Sequence, residues 1–444
     1  MLNIAVIEAI RERLPHRASA PRTYHTTAGA ASEAASPANA RLAVAILFAG
    51  VSINLFDRQV INVVAQSIKA ELHISDTGLG LLTGTTFGLF FAAVALPMGW
   101  LADRMDRRRL IAAMVVLWSA STMACGVAAG YLMLVLGRIG IGLGEGGAQP
   151  ASTALVADLA SPGRRSSALS LMFVGVPVGT LLGYFVGGQV SELWGWRAAF
   201  LVAGAPGFLV ALLILAFVRD PRPRAALHRD GTMTAAIMAV IRTRSMGPLA
   251  VALSASSFAA YATNAWIPAF FMRVHGMSVA EIGLYGALAV GSSGALGVVA
   301  AGPLCDWLRK RTAHPEAWFM VVATGLSIPA TLLMVMADDK RLALAGMALL
   351  QAPAFAWPAP ATRLIQDAAG PTHRALAVAV CSTAASIFTL CLGIPVVGLL
   401  SDLMAPMSGA RSVGHALCLL AVPVALIGAA AYGHVLVNRQ TGAR

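Results

Sequence analysis

Apolar segments long enough to cross a bilayer follow one another almost without interruption from residue 42 to residue 436 of this 444-residue chain. Twelve can be placed, at 42–66, 78–102, 109–128, 131–158, 166–190, 196–218, 247–272, 280–304, 314–336, 341–366, 374–400 and 413–436. A spanning helix needs ~20 mostly apolar residues, because backbone groups in lipid find no water and must pair within their own segment. A soluble core can bury one or two such helices, but not twelve in succession. Hydrophobic residues at 58% and charged residues at 12% agree, far from the soluble average. The expected fold is all-α and integral to a membrane, with 12 transmembrane helices.

The segments fall into two repeating halves. Gly99-Trp-Leu-Ala-Asp103-Arg104-Met-Asp-Arg107-Arg108-Arg109 returns 203 residues later as Gly302-Pro-Leu-Cys-Asp306-Trp-Leu-Arg309-Lys310-Arg311. Gly188-Gln-Val-Ser-Glu192 returns as Gly398-Leu-Leu-Ser-Asp402, and Asp158 with Arg164 has a looser counterpart in Asp367 with Arg374. Parallel halves of this kind are the internal symmetry of many secondary transporters. Two six-helix bundles with pseudo-two-fold symmetry are expected, at 41–218 and 246–438. The linker 219–245 contains a candidate surface helix at 232–243. Residues 1–40 read as a disordered cytoplasmic tail without a secretory signal, and 439–444 as a short cytoplasmic tail.

The net charge of +12 would suit nucleic acid if it were clustered, but its distribution argues against that partner. With a cytoplasmic N-terminus, Lys69, Arg197, Arg273, Lys340, Arg341 and Arg411 fall outside, and Arg58 and Arg138 fall within helices. The other 24 of the 32 Lys and Arg occupy tails and cytoplasmic loops. That bias is the positive-inside rule; it puts both termini in the cytoplasm and makes membrane lipid the partner of the basic surface. The inner membrane of a bacterium is the expected location, and a monomer the expected state. The five cysteines have no metal-ligand or redox spacing, so no metal or cofactor is expected. Three lysines, none in a Gly-Lys-Ser/Thr loop, argue against an ATP-driven pump. No nucleophile or metal cluster supports a membrane enzyme.

Four ionisable residues fall deep within apolar segments: Asp57 and Arg58 in the first, Arg138 and Glu145 in the fourth. A charge there costs from ~2.5 to above 10 kcal/mol, so it normally faces a partner or water. At ~1.5 Å per residue, Asp57 and Arg138 lie at similar depths on antiparallel helices, which predicts an ion pair between them. Glu145, two turns from Arg138 in Arg138-Ile-Gly-Ile-Gly142-Leu-Gly-Glu145-Gly-Gly, is expected beside space left by the glycines, as a carboxyl able to exchange protons. Movement of Arg138 relative to Glu145 would then couple proton binding to conformation, while Arg58 reaches an anionic substrate group or pairs elsewhere. A static ion-pair network fixing two helices is the plain structural alternative.

The second half offers milder polar groups. Tyr261, Asn264, Gln351, Ser382 and Ser386, with Trp266 and Phe355, are candidate cavity residues facing Asn54 of the first half. One charged and one apolar wall would suit an amphipathic solute. Glycines repeat at four-residue spacing at Gly175, Gly179, Gly183 and Gly187, and recur at Gly80, Gly84 and Gly88 and at Gly286, Gly291, Gly294 and Gly297. Small residues let helices approach in lipid, so these faces are expected either as static packing or as the seam along which the halves rock. The repeated loops are expected to act as gating latches through Gly99, Asp103, Arg104, Arg107 and Arg108 and through Gly302, Asp306 and Arg309. In that reading the aspartates face a neighbouring helix N-terminus, worth ~0.3–1 kcal/mol, and the arginines a carboxylate of the other repeat element.

Both Gly-x-x-x-Asp loops resemble the signature loop of the major facilitator superfamily, and Arg138-x-Gly-x-Gly142 resembles its fourth-helix motif. Within that superfamily, Asn54-Leu-Phe-Asp57-Arg58, Arg138-(x)6-Glu145, Trp196-Arg197-x-x-Phe200, Leu364-Ile-Gln366 and Arg374-Ala are similar to the spinster-type transporters, exporters of lysolipids and sphingosine phosphate. The resemblance spans about residues 40–438. It implies a secondary transporter working by alternating access, with the proton and substrate centre on Asp57, Arg58, Arg138 and Glu145. Gly175-Val-Pro-Val-Gly179 matches the antiporter motif only in part, which leaves the transport direction open. The expected solute is amphipathic or anionic and lysolipid-like, with small organic anions or drug-like compounds as alternatives.

Overall fold

The computed structural model describes residues 37–102, 105–160, 165–221 and 233–441, and among these every regular element is helical. The first half contains α1 (Pro37–Leu72), α2 (76–102), α3 (Arg107–Gly126) and α4 (Tyr131–Leu159). It continues with α5 (165–194) and α6 (196–217). The second half contains α7 (246–275), α8 (279–309), α9 (Pro315–Met336), α10 (340–369), α11 (376–408) and α12 (Ser412–Thr441), where α10 and α11 are named by their apolar spans and share the continuous helical run Pro358–Ser386. A short helix, Met233–Ile241, lies in the segment between the halves. Asp103, Arg104, Arg164 and residues 1–36, 222–232 and 442–444 lie outside the described residues, and with them the expected tails and most of the linker.

Among the described residues, eight helical stretches are long and apolar enough to cross a membrane. Two of these, Ala168–Phe217 with 50 residues and Leu376–Val437 with 62, each contain two helices. The first has a turn at Val174 and a sharp break at Gly195, where φ is 80° and ψ 165°. A Cβ there would meet nothing within 4 Å, so the left-handed backbone, not lack of space, calls for glycine.

Each half builds most of its own core, with Ala65 and Leu79 of the first half joining the second. Leu47, Ile61, Phe87, Trp118, Leu134 and Phe200 join α1–α6. In the second half Trp266, Phe270, Met334, Leu350 and Val413 form one cluster, and Met246, Met320, Leu364 and Tyr432 another. A small cluster of Val63, Tyr184, Val279, Ala287 and Val290 lies across the two halves.

The glycine faces divide between the two expected roles. The α5 stripe packs inside its own bundle: Gly175 and Gly179 lie against Phe48 and Ser52 of α1, and Gly183 and Gly187 against Gln59 and Val60. This is static packing, one of the two expected roles. The seam is built instead by α2 on α11 and α5 on α8. Gly80, Gly84 and Gly88 meet Pro395, Leu390 and Cys391, while Gly283 and Gly286 meet Gly188 and Tyr184. A Cβ on Gly84 would collide with the Leu390 carbonyl oxygen, which is backbone and cannot swing aside. Gly84→Ala should therefore cost about 1–3 kcal/mol and lower the melting midpoint in detergent. Gly325→Ala, with open space around its Cβ, should not.

Four wide turns interrupt the helices that line the seam or face it: Leu81–Thr85 in α2, Phe258–Ala262 in α7, Ala289–Gly294 in α8 and Ile387–Gly393 in α11. Such π-turns loosen the backbone ladder and free carbonyls for other donors. The Thr85 hydroxyl uses one, donating to the Cys391 carbonyl across the seam at 2.9 Å.

Candidate functional site

A cavity opens on the inner wall of the first bundle. Asn54 and Arg58 of α1, Trp118 of α3 and Glu145 and Gln149 of α4 line it, and Tyr261 of α7 faces it from the second bundle. Asp57, Arg138 and Glu145 are each 1% exposed.

The buried ion pair differs from the expected one. Arg58, not Asp57, bonds across the helices: its Nε donates to Glu145 Oε2 at 3.0 Å, and its Nη2 bonds the same oxygen. Asp57 turns instead toward α3, where its Oδ2 accepts from the Thr122 hydroxyl at 3.4 Å. Adjacent positions on a helix diverge by about 100°, so Asp57 and Arg58 cannot both face α4. Arg138 is held by backbone: Nε and Nη2 donate to the carbonyls of Leu82 and Thr83 at 3.4 and 3.0 Å. Both acceptors belong to the π-turn of α2, which explains how a guanidinium is tolerated at this depth. The guanidinium carbons of Arg58 and Arg138 lie 5.0 and 4.7 Å from the centroid of one ring, Phe87. Cation–π contact of this kind is worth ~0.5–2 kcal/mol, more when desolvated.

Four polar atoms around these charges are buried without a hydrogen-bond partner: Asp57 Oδ1, Trp118 Nε1, Arg138 Nη1 and Glu145 Oε1. Buried polar atoms are rarely left so, and a group of them marks a place for water, a proton or a ligand. The α4 glycines do not create the space. Gly142 and Gly146 bring α4 onto the carbonyls of Phe87 and Phe91, and Gly140 and Gly144 bring it onto Ser121 and Trp118, which corrects the expectation of a glycine-lined cavity.

Of the second-half candidates, Tyr261 alone lines this cavity. Asn264 and Gln351 are buried and satisfy one another, with Gln351 Nε2 donating to Asn264 Oδ1 at 2.9 Å and Asn264 Nδ2 donating back at 3.3 Å. Trp266 is buried, donating to the Ile394 carbonyl at 3.1 Å. Phe355 packs beside Gly294 and against the cross-bundle cluster. Ser382 is exposed and Ser386 half-buried, and neither lines the cavity.

A second polar centre, which the sequence reading missed, closes the end that carries residues 73–75 and 276–278. Asp76 is its hub. It accepts from Arg273 of α7 through two bonds of 2.5 and 2.6 Å, from Lys69 of α1, and from the Ser401 hydroxyl of α11 at 2.7 Å. Asp402 of α11 caps the N-terminus of α2, accepting from the backbone of Asp76 at 2.9 Å and Thr77 at 2.8 Å and from the Thr77 hydroxyl at 2.6 Å. Glu192 of α5 does the same for α8, accepting from Ala280 N at 3.3 Å. The repeated Gly-x-x-Ser-Glu/Asp pattern is thus one device used twice: Gly188 and Gly398 let α5 and α11 touch α8 and α2, and the acid four residues on caps the helix touched. The signal was present as the repeat. Beside it, Glu71 accepts from the Trp196 indole and from Arg197, both at 2.7 Å, tying α1 to α6 within one bundle.

At the opposite end the basic loops are held within their own halves. Arg107 bonds Asp158 of α4 at 2.5 Å, and its backbone N donates to Asp220 at 3.0 Å. Arg108 pairs with Asp106 at 3.6 Å. Arg309 pairs with Glu316 of α9 at 2.8 Å, where Arg363 of α10 joins at 3.2 Å. Asp306 is 72% exposed and pairs with Arg309 one turn on at 3.1 Å, so it is not set against a neighbouring helix. For the described residues the arginine part of the latch is corrected: Arg107 and Arg309 find carboxylates inside their own bundle, while Asp103 and Arg104 lie outside the described residues. Gly99 lies in α2; at Gly302 in α8 a Cβ would meet nothing within 4 Å.

Two helical bundles joined by a glycine seam, with a charged cavity between them, define a multi-pass membrane transporter. The chain belongs to the Major Facilitator Superfamily, whose sequence model matches residues 47–390. It is 33% identical over 398 residues to an MFS-type efflux pump of Mycolicibacterium smegmatis, covering 89% of this chain and 92% of that one. It is 28% identical to a sphingosine-1-phosphate transporter of Xenopus tropicalis over 82% of this chain and 74% of that one. Among solved structures it is similar to a bacterial homolog of the human lysosomal transporter spinster in an inward-facing, unoccupied conformation. That similarity has a TM-score of 0.78 at 25% identity and covers 90% of this chain and 97% of that one. These relatives are transporters, not enzymes.

Proposed function

We propose that this chain is a proton-coupled secondary transporter of an amphipathic organic anion, with twelve membrane crossings and both termini in the cytoplasm of a bacterium. The carrying observation is the Arg58–Glu145 pair in the cavity wall, where Glu145 keeps one buried oxygen, Oε1, without a partner. That oxygen is where a proton would bind. Protonation would loosen Arg58, freeing a guanidinium to take an anionic headgroup, while Tyr261 and the apolar wall receive the rest of the solute. Asp57 and Arg138 are the neighbouring charges through which the proton's arrival is felt. With the basic loops inside, the Asp76 hub closes the outer face, and this is the inward-facing state of an alternating-access cycle. The protein works as a monomer. Similarity to spinster-type proteins favours lysolipid-like solutes; similarity to an efflux pump favours drug-like compounds or small organic anions as the second reading.

The test is proton flux into dye-loaded proteoliposomes on adding lysophospholipids or small carboxylates. Flux with one class is expected, falling to background in Glu145→Gln. Solute uptake without proton movement, equal in both proteins, would overturn the coupling.

A further inference from the structure

A second cavity lies away from the transport path, on the outer flank of the second bundle between α8, α9 and α10, with about 1100 Å³ of empty space. Its floor is made of small residues, among them Ala300, Ala323 and Ala356, and is sealed where Gly297 of α8 meets Ala352 of α10. Its walls are Leu304 and Leu326 with two tryptophans at one mouth, Trp307 and Trp318, which are 48% and 42% exposed. Trp307 stands in the last turn of α8 and Trp318 in the first turn of α9, so this mouth is at the end of the helices, the level where tryptophan marks the lipid headgroup region.

The mouth is basic. The Arg311 guanidinium carbon lies 3.9 Å from the Trp307 ring centroid, and Lys310 beside it is exposed. The nearby carboxylates are committed elsewhere: Asp306 to Arg309, and Glu316 to Arg309 and Arg363. Lys310 and Arg311 thus present charge beyond what the local acids balance. An apolar groove of this kind gives an acyl chain dispersion contacts along its whole length, and acyl chains are what surround it in a bilayer.

We propose that this groove binds one anionic diacyl phospholipid, one acyl chain lying between α8 and α9 and the phosphate held by Arg311 and Lys310. Its assignment to the cytoplasmic leaflet rests on the orientation proposed above; the site itself does not.

The full-length protein in phosphatidylcholine nanodiscs tests this, with brominated-chain phosphatidylglycerol or brominated phosphatidylcholine added at equal fractions. Tryptophan quenching from the groove is taken as the difference from Trp307→Phe/Trp318→Phe. An about 25-fold preference for the anionic lipid is expected, about the worth of two basic residues near the surface. Lys310→Gln/Arg311→Gln, at exposed positions that should not disturb folding, removes the preference. Ala300→Leu/Ala323→Leu fills the floor and removes the quenching, with unchanged melting as its control. Equal quenching by both lipids, insensitive to either variant, would mean ordinary boundary lipid and overturn the proposal. So would preferential quenching by a brominated lysophospholipid, which would assign the groove to the solute's route. Quenching is read without transport, so failure of proton coupling leaves this result standing.

Discussion

Arg58→Ala is expected to abolish transport and to lower stability by about 3–5 kcal/mol, because it strands Glu145 as an unpaired charge in a site it leaves no route out of. Glu145 is fully buried as a side chain, whereas Arg58 keeps 17% exposure toward the cavity, so the burden falls on the carboxylate. Arg58→Leu/Glu145→Leu removes both charges and should recover most of the melting midpoint, since replacing a whole buried pair with apolar groups is often neutral or stabilising. It should not recover proton flux. Melting in detergent and flux in proteoliposomes separate the two roles. A double variant that regained both stability and flux would reduce the pair to scaffold.

Asp76→Ala should produce the second large effect, on conformation. It removes the acceptor shared by Lys69, Arg273 and Ser401, leaving two like charges facing each other across the bundles. Truncating one partner of a hydrogen-bonded charge pair costs about 2–5 kcal/mol, all of it borne by the state in which the bundles touch at this end. A loss of that size moves the population between states by tens- to thousands-fold. Val63→Cys, buried in the cross-bundle cluster behind the hub, reports it in a background without the native cysteines. Labelling by an impermeant maleimide should accelerate sharply with Asp76→Ala. Asp402→Ala should act in the same direction and Glu192→Ala more weakly, since Asp402 receives three bonds and Glu192 one at 3.3 Å. Unchanged labelling in all three would show that the hub does not hold the gate.

The transporter class was legible because it follows from properties carried locally by each segment. Apolar length, charge asymmetry and repeated loops need no knowledge of which helix touches which. The four buried charges were legible for the same reason, since a charge in a 20-residue apolar run stands out whatever surrounds it. Their pairing was not. Depth alone put Asp57 opposite Arg138, but helix rotation turned Asp57 to Thr122 and Arg58 to Glu145. The π-turn at Leu81–Thr85 then supplied Arg138 with carbonyls that a regular helix would have kept to itself.

Asp76 escaped notice because the apolar pattern ends α1 and begins α2 at residues 66 and 78, whereas the helices run to Leu72 and from Asp76. Three residues of turn, with His73 at φ 51°, place Asp76 in a helix N-terminus instead of a loop. The glycine repeats were visible, but a repeat states only that something comes close. Gly183 meets Gln59 inside one bundle and Gly84 meets Leu390 across two, and no pattern within either helix distinguishes them.

The amino-acid sequence by itself determined that this chain is a duplicated bundle of membrane helices with charge buried in its first half. Those are sums over local preferences, and the bilayer enforces them segment by segment. Only the tertiary structure decided which charge answers which, which glycines form the seam, and that one repeated acid caps a helix of the opposite half. Those depend on rotation and register between elements far apart in the chain, where a turn of about 100° between adjacent residues changes the partner while leaving the composition untouched.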